Sequence, residues 1–436
     1  MSEELIVIGG GLAGSEAAWQ AARRGIRVRL YEMRPEKLTE AHRTGNLGEL
    51  VCSNSLRSND LYSAPGLLKK ELSMAGSLIM EAAVNSAVPA GSALAVDRGV
   101  FSGYISGRLS GHPDIEIIRE EVVGLPETAT IIATGPLTSA SMAKSLSELL
   151  GGAHLYFYDA IAPIIDADSI DYEKVYRASR YGKGGDDYVN CPMSKEEYEA
   201  FYTALTEADK VTPREFEEQR VFEGCMPIEV MASRGKDTMR FGPMKPVGLP
   251  DPKTGKEPYA VVQLRTENTQ LTAYNIVGFQ TRLKWPEQKR VFGMIPGLAN
   301  AEFMRYGSLH RNTFINSPLF LSMDLTLKSK QNIFIAGQIS GVEGYIESTA
   351  MGLIAGINAS LKIKGKTTVE VPPSTAHGAL IRHITGSESE HFQPSNINFG
   401  LFPVPNELLN IRDKRKRKTM IVERALTDWE EYLGRV

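Results

Sequence analysis

The sequence predicts an α/β fold in which one nucleotide-binding-type domain is interrupted by an inserted α+β domain. Three observations carry this. A short apolar run, Leu5–Ile8, leads into Gly9-Gly10-Gly11-Leu12-Ala13-Gly14, an Ala-rich stretch and a second run ending at Glu32. Two later apolar runs, 129–133 and 332–336, end in the small residues Ala133-Thr134-Gly135 and in Gly337. Between those two runs, from about Tyr156, the chain turns aromatic, then polar, then into segments of antiparallel character.

Taken in order, Leu5–Ile8 reads as a buried strand, Ala13–Arg24 has helical spacing with Gly25 as its stop, and Arg27–Tyr31 reads as the next strand. The glycines fit G-x-G-x-x-G, and each has a mechanical reason. Gly9 permits the tight turn, Gly11 lets backbone approach a pyrophosphate, and Gly14 lets helix and strand pack closely. The helix N-terminus offers its N–H groups to the anion. Glu32, 23 residues after Gly9, stands where a carboxylate takes both ribose hydroxyls. It would repel a 2′-phosphate, so the site suits FAD or NAD better than NADP. A glycine-rich turn in an ordinary α/β protein is the plainer alternative. Two flanking strands and an acid in place argue against it, and the first domain is expected to be Rossmann-type.

Residues 34–66 read as a long loop holding Leu50-Val51-Cys52-Ser53-Asn54-Ser55, and long loops in compact domains are usually functional or disordered. Leu67–Ala83 has the spacing of one helix, Val100–Leu109 of another, and Ile115–Ile118 of a strand. After Ala129–Ala133, the small residues Ala133-Thr134-Gly135 allow backbone to return close to a pyrophosphate. Lys195–Ala208 is expected to be helical, and Tyr259–Leu264 and Tyr274–Phe279 antiparallel strands. No second strand–GxGxxG–helix unit stands in this block, so any NAD(P)H must visit transiently. Gly337-Gln338-Ile339-Ser340-Gly341 precedes a helix expected over Val342–Leu361, whose Ala350, Gly352, Ala355 and Gly356 permit close packing. That helix would point its positive end at the cofactor, where a reduced flavin becomes anionic. The expected division is 1–157 and 321–371 for the nucleotide domain, 158–320 for the insertion and 372–436 for a C-terminal arm. The basic run 412–418 in that arm reads as a solvated helix face, with phosphate contact as the alternative.

With 436 residues, 42% hydrophobic and 23% charged, the chain has the composition of a globular protein with sizeable cores. A net charge of −3 excludes a molecule that holds nucleic acid by overall charge, so any RNA site must be a local patch. No apolar run approaches a membrane span of about 20 residues. The first strand begins almost at the N-terminus, so a cytoplasmic location without a leader is expected. Cys52, Cys191 and Cys225 are widely spaced and make neither a C-x-x-C pair nor a metal set. This counts against a dithiol–disulfide oxidoreductase. Cys225 lies in Phe222-Glu223-Gly224-Cys225-Met226-Pro227, where Glu223 or Glu229 can orient a neighbour, while Cys191 is the blandest of the three.

These stretches also carry a family resemblance. GGGLAGSEAAW (9–19), YEMRP (31–35), ELVCSNSL (49–56), GLLKKEL (66–72), VPAGSALAVDR (88–98), ATGPLTS (133–139), YDAIAPI (158–164), NCPM (190–193), FEGCMPIE (222–229), FGPMKPVGL (241–249), VVQLR (261–265), GFQT (278–281), HRNT (310–313) and GVEGYIES (341–348) resemble the folate- and FAD-dependent tRNA (uracil-C5) methyltransferases over nearly the whole chain. VCSNSL and FEGCMPIE separate that family from the related glucose-inhibited division protein A flavoproteins. The resemblance implies FAD, methylenetetrahydrofolate as carbon donor, reduced nicotinamide as electron source, and tRNA, modified at the T-loop uridine 54, as substrate. From the lack of a long apolar run no membrane is expected, and no protein partner is evident in the sequence.

The chemistry that such a reaction demands agrees with the residues. C5 of uracil is a poor nucleophile until a thiolate adds to C6. A base must then remove the C5 proton, and a hydride must reduce the resulting exocyclic methylene, which reduced flavin can supply. By resemblance, Cys225 is the expected nucleophile and Cys52 the second thiol, as C5 base or as guard of the flavin, and the two roles are interchangeable at this level. Arg57 is expected near a thiol. His310 is expected on the folate pterin and Tyr345 over the flavin. Lys245, Arg282, Lys284, Lys289 and Arg290 are candidates for RNA phosphate. Two rival readings stand beside this one: an FAD-dependent oxidoreductase of a small molecule, and a non-catalytic RNA-binding protein that holds FAD.

Overall fold

The computed structural model describes residues 4–151, 154–211, 226–403, 411 and 413–436, with side chains throughout these except at 154–161, 308–312, 391 and 414. The fold is the expected α/β arrangement. Five parallel strands form the first sheet in the order Ile333–Ile335, Thr130–Ile132, Glu4–Ile8, Arg27–Tyr31, Ile115–Ile118. In chain order this is the Rossmann sequence 3-2-1-4-5 read from the other edge, and its direction reverses between Glu4–Ile8 and Thr130–Ile132. The Gly9 loop and Ala133-Thr134-Gly135 both leave the sheet at that reversal, where a crevice opens at the carboxyl ends of the strands.

The glycines follow from this packing. Gly9 has φ of +102°, and a methyl group there would lie 2.5 Å from the Ala133 carbonyl oxygen. Across one face, the helix Leu12–Ala22 packs on the long helix Tyr345–Ile363. A methyl at Gly352 would overlap the Ala13 carbonyl oxygen, and one at Gly356 would stand 2.6 Å from that of Ala17. The two backbones are therefore in direct contact. Gly341 and Gly344 both have positive φ, so the long helix starts at Tyr345 rather than Val342.

Two further expectations change. Leu67–Ala83 is two helices, Ala64–Met74 and Leu78–Asn85. Gly76 turns the chain at φ +70°, Ser77 caps the second helix, and the buried Glu16 carboxylate accepts from Ser77 Oγ at 2.7 Å and Ile79 N at 3.1 Å. The stretch 34–66 is not all loop. Ser55–Ser58 joins a small antiparallel sheet with Ala87–Val88 and Ala93–Val96, and the helix begins at Ala64, since a proline (Pro65) is favoured in a first turn.

The central block forms a second core around a six-stranded antiparallel sheet, in the order Tyr176–Arg177, Tyr188–Met193, Ala260–Thr266, Ala273–Ile276, Ile164–Asp166, Phe303–Arg305. The helix Lys195–Glu207 packs on it through Tyr198, Phe201 and Leu205, after a Ser194–Glu197 capping box. A two-stranded ribbon, His154–Ile161 with Ser308–Ile315, links it to the parallel sheet. At the C-terminus the helix Lys414–Leu433 buries Trp429 and Tyr432 in the first core. Trp429 Nε1 donates to Glu71 O at 2.8 Å, and its ring stacks on His377 at 4.2 Å. Arg415, Lys416 and Lys418 of the basic run are exposed.

Gly352→Ala should destabilise the protein by about 1–3 kcal/mol, because backbone has no room to yield. Gly103→Ala, in the exposed interior of the helix Arg98–Ser110 with open space around it, should stabilise by about 0.5–1 kcal/mol. Thermal melts of the two variants should move in opposite directions. Equal shifts would refute the close helix crossing.

Candidate active site

At the reversal point of the parallel sheet lies a cleft of about 1010 Å³ including its open mouth. Gly9, Gly11, Glu32, Thr134, Gly135, Gly337, Gln338 and Tyr345, all expected at a cofactor, line it together. Gly14 does not. It sits behind, where a side chain would overlap the Gly9 carbonyl oxygen, and so sets how closely the helix meets the strand. Nothing lies within 4 Å of a methyl built at Gly11, and no side chain caps the helix that starts there. Its first N–H groups face the cleft without a protein acceptor from a cap, the arrangement that receives a phosphate. Thr134 and Thr138 hydroxyls meet at 2.7 Å across the Gly135 turn, and Gln338 Nε2 donates to Glu343 at 2.5 Å. An apolar cleft with an open glycine turn, an uncapped helix start and a fixed acid fits a dinucleotide such as FAD.

Glu32 is held by residues that the sequence reading left without a role. Its carboxylate accepts from Gly10 N at 2.9 Å and from Arg34 through N (3.0 Å), Nε (2.9 Å) and Nη2 (2.9 Å). Arg34 is only 2% exposed and reaches Glu49 as well, at 3.2 Å. Burial works against the Glu32 charge, but the Arg34 bonds and charge outweigh it and hold the carboxyl below its usual range. Beside them His42 lines the cleft and bonds Thr39 Oγ1 at 2.6 Å. Burial and the Arg34 charge lower its pKa to about 4, so the ring is neutral at pH 7. The signal was present, since Arg34 stands in YEMRP two residues after the acid.

Cys52 lies one residue from the cleft lining at Val51, on a loop tied down from several sides. Tyr345 Oη accepts from Cys52 N at 2.8 Å and Ser53 N at 3.1 Å. Arg98 donates to Leu50 O (2.6 Å), Cys52 O (3.2 Å) and Glu267 (2.5 Å). Asn54 donates to Val96 O and Thr266 O and accepts from Arg265 Nε at 2.9 Å, while Arg265 Nη2 donates to Ser53 Oγ at 2.8 Å. Strand Ala260–Thr266 of the second sheet thus grips the cysteine loop of the first domain. Arg57, at φ +62°, ion-pairs with the buried Glu347.

The other candidates are distributed as follows. Cys225 and Glu223 lie outside the described residues, and so does the side chain of His310, whose backbone pairs with Asp159. Cys191 is buried in the antiparallel sheet, where burial pushes its thiol up and leaves it unreactive. Glu229 is buried with Thr281 and Arg282, which accounts for Arg282 as an internal ion pair. Lys284 and Arg290 are about half exposed, and pair with Asp209 and Glu287. Lys245 offers its backbone carbonyl to Arg180.

Arg34→Met should leave a buried carboxylate without its counter-ion and cost about 3–5 kcal/mol at pH 7. Because Glu32 has a depressed pKa in the folded protein, its stabilisation is present above the unfolded value and is lost as pH falls through the folded one. The deficit of Arg34→Met should therefore be largest at neutral pH and shrink as the solution is acidified through the carboxylate range. Denaturant titrations at several pH values check this, and a pH-independent deficit would contradict it.

Comparison with known proteins agrees with this architecture. The family model described as Glucose inhibited division protein A matches residues 4–367. A protein of Citrifermentans bemidjiense named methylenetetrahydrofolate--tRNA-(uracil-5-)-methyltransferase TrmFO is 58% identical over 436 residues, covering 99% of both chains. Proteins of the same name from Moorella thermoacetica (58%, 98% of each chain) and Listeria monocytogenes (58%, 98% of each chain) align equally well. Among solved structures, Aquifex aeolicus GidA superposes with a TM-score of 0.70 at 17% identity, over 99% of this chain and 73% of that one, a likeness of fold. The chain belongs to the methylenetetrahydrofolate--tRNA-(uracil-5-)-methyltransferase family, within the wider glucose inhibited division protein A group.

Proposed function

We propose that this chain methylates C5 of the T-loop uridine (position 54) of tRNA in the cytoplasm, with methylenetetrahydrofolate as carbon donor and FAD, reduced by NAD(P)H, as reductant. The observation that carries the reading is Cys52, tied by Tyr345 to the rim of a dinucleotide cleft, in a chain 58% identical end to end to methyltransferases of that name. The uncapped helix start at Gly11 would hold the pyrophosphate and Glu32 the ribose, with Thr134, Gly135, Gly337 and Gln338 along the cofactor. When bound, the flavin supplies the hydride that turns a methylene into a methyl. His310 would stack on the folate.

The protein's own part is acid–base and nucleophilic work. Cys225 adds to C6, which makes C5 an enolate carbon able to attack the folate methylene. Cys52 removes the C5 proton. The bond from the methylene carbon to the folate nitrogen then breaks, leaving an exocyclic methylene on the base. Hydride addition there and expulsion of the Cys225 thiolate from C6 restore the aromatic ring. Arg98 donates to the Cys52 carbonyl and so holds the backbone that carries this thiol. The uracil must leave the T-loop stack to reach the cleft.

Label placed in the methylene carbon of methylenetetrahydrofolate should appear in the 5-methyl group of tRNA, and label in the methyl of S-adenosylmethionine should not. A sulfonium methyl needs no reductant, so activity surviving complete removal of FAD would defeat the mechanism. With tRNA carrying 5-fluorouridine, which has no C5 proton to lose, a covalent adduct should accumulate. Cys225→Ala should abolish the adduct while retaining FAD, and Cys191→Ala should leave it intact. Loss of the adduct in Cys52→Ala but not in Cys225→Ala would exchange the two assigned roles.

A further inference from the structure

One edge of the antiparallel sheet carries a feature that the chemistry above does not use. Trp285 opens the helix Trp285–Phe292 and is 63% exposed. Its indole lies face to face on Tyr306, with centroids 5.3 Å apart and planes within 12°, and Tyr306 lies on Phe303 at 5.0 Å and 7°. Phe303 packs against the second core, so the column of three rings is anchored at one end and open at the other. Lys284 precedes Trp285, and Lys289 follows it by one turn on the same helix face. Both lysines are exposed. Among the described residues, the carboxylates nearby include Asp209 on Lys284, Glu287 on Arg290 with Glu207 also acting on that arginine, and the exposed Glu302, which precedes Phe303. Arg305, the residue before Tyr306, donates to Ala41 O at 3.4 Å, and Ala41 immediately precedes His42, which lines the cleft.

We propose that Trp285 is a stacking platform for an unpaired base of the tRNA substrate, with Lys284 and Lys289 against the flanking phosphates. The proposal rests on the RNA-methylating reading above. Parallel rings with one open face continue naturally into a base, because every base presents a π-face, and a lysine on either side answers the backbone. A protein partner would call for a wider apolar surface, whereas the helix that Trp285 opens carries Glu287, Lys289 and Arg290 and is preceded by Lys284.

Of the three tryptophans, Trp19 and Trp429 are buried and Trp285 is the exposed one. The flavin-loaded full-length protein is titrated with unmodified tRNA transcript while tryptophan emission and binding are followed, for wild type, Trp285→Ala and Trp285→Phe. The expected result is quenching in the wild type that is absent from Trp285→Ala. That variant should also bind tRNA about ten-fold more weakly, with a raised KM for tRNA and kcat within two-fold, and Trp285→Phe should recover most of the affinity. Unchanged flavin content in both variants reports an intact fold. Tight tRNA binding with silent emission, and equal affinity in Trp285→Ala, would overturn the platform alone. Sedimentation showing that a second copy of the chain covers Trp285 without RNA would also overturn it. Failure of the wild type to bind tRNA at all would overturn both the platform and the function proposed above.

Discussion

Everything at the cleft depends on how closely two helices approach. The backbone of Leu12–Ala22 touches that of Tyr345–Ile363 at Ala13 against Gly352 and at Ala17 against Gly356. The first helix begins at the glycine turn, and the second begins at Tyr345, so their contact fixes the distance between that turn and the tyrosine that receives the Cys52 loop. Gly337 is drawn into the same contact, since a methyl there would lie 2.7 Å from the Ala13 side chain. A larger residue at any of these positions would push the two helices, and with them the glycine turn and Tyr345, apart.

The second constraint is electrostatic. Burying Arg98, Arg265, Arg34 and Glu32 near one cleft is costly unless each charge is met. Arg34 meets Glu32 and Glu49, and Arg98 meets Glu267 together with two carbonyls of the cysteine loop. Arg265 is spent on neutral acceptors, Asn54 and Ser53, and its burial lowers its pKa. These groups hold the polar stretch between the buried Leu50 and Leu56 by directed bonds, while the two leucines anchor its ends in the first core.

Much of the fold was legible because parallel strands buried on both faces are short, wholly apolar runs, and because glycine turns punctuate them. The antiparallel sheet was less so. Its edge strands Tyr176–Arg177 and Phe303–Arg305 are two and three residues long, too short to display a period of two. The split of 67–83 was hidden because Gly76 and Ser77 interrupt a helical pattern whose apolar spacing continues through them. At the site, the residues along the cleft could be named from local motifs. The clamp on Cys52 could not, because Asn54 and Arg265 meet across 211 positions of sequence and no local pattern records that. Arg57 illustrates the same limit: its nearness to Cys52 in sequence gave no indication that its charge faces Glu347.

The strand that carries Arg265 and Thr266 lies near the middle of the second sheet, hydrogen-bonded on both sides, and Glu267 follows directly on it. It is as rigid as any part of that domain, and it holds Ser53 and Asn54 directly and the Cys52 carbonyl through Arg98. Cys52 is thereby slung between two stiff bodies, Tyr345 pulling from one and the Arg265 strand from the other. Any change in the spacing between Tyr345 and the Arg265 strand would therefore be transmitted to the backbone that carries the thiol.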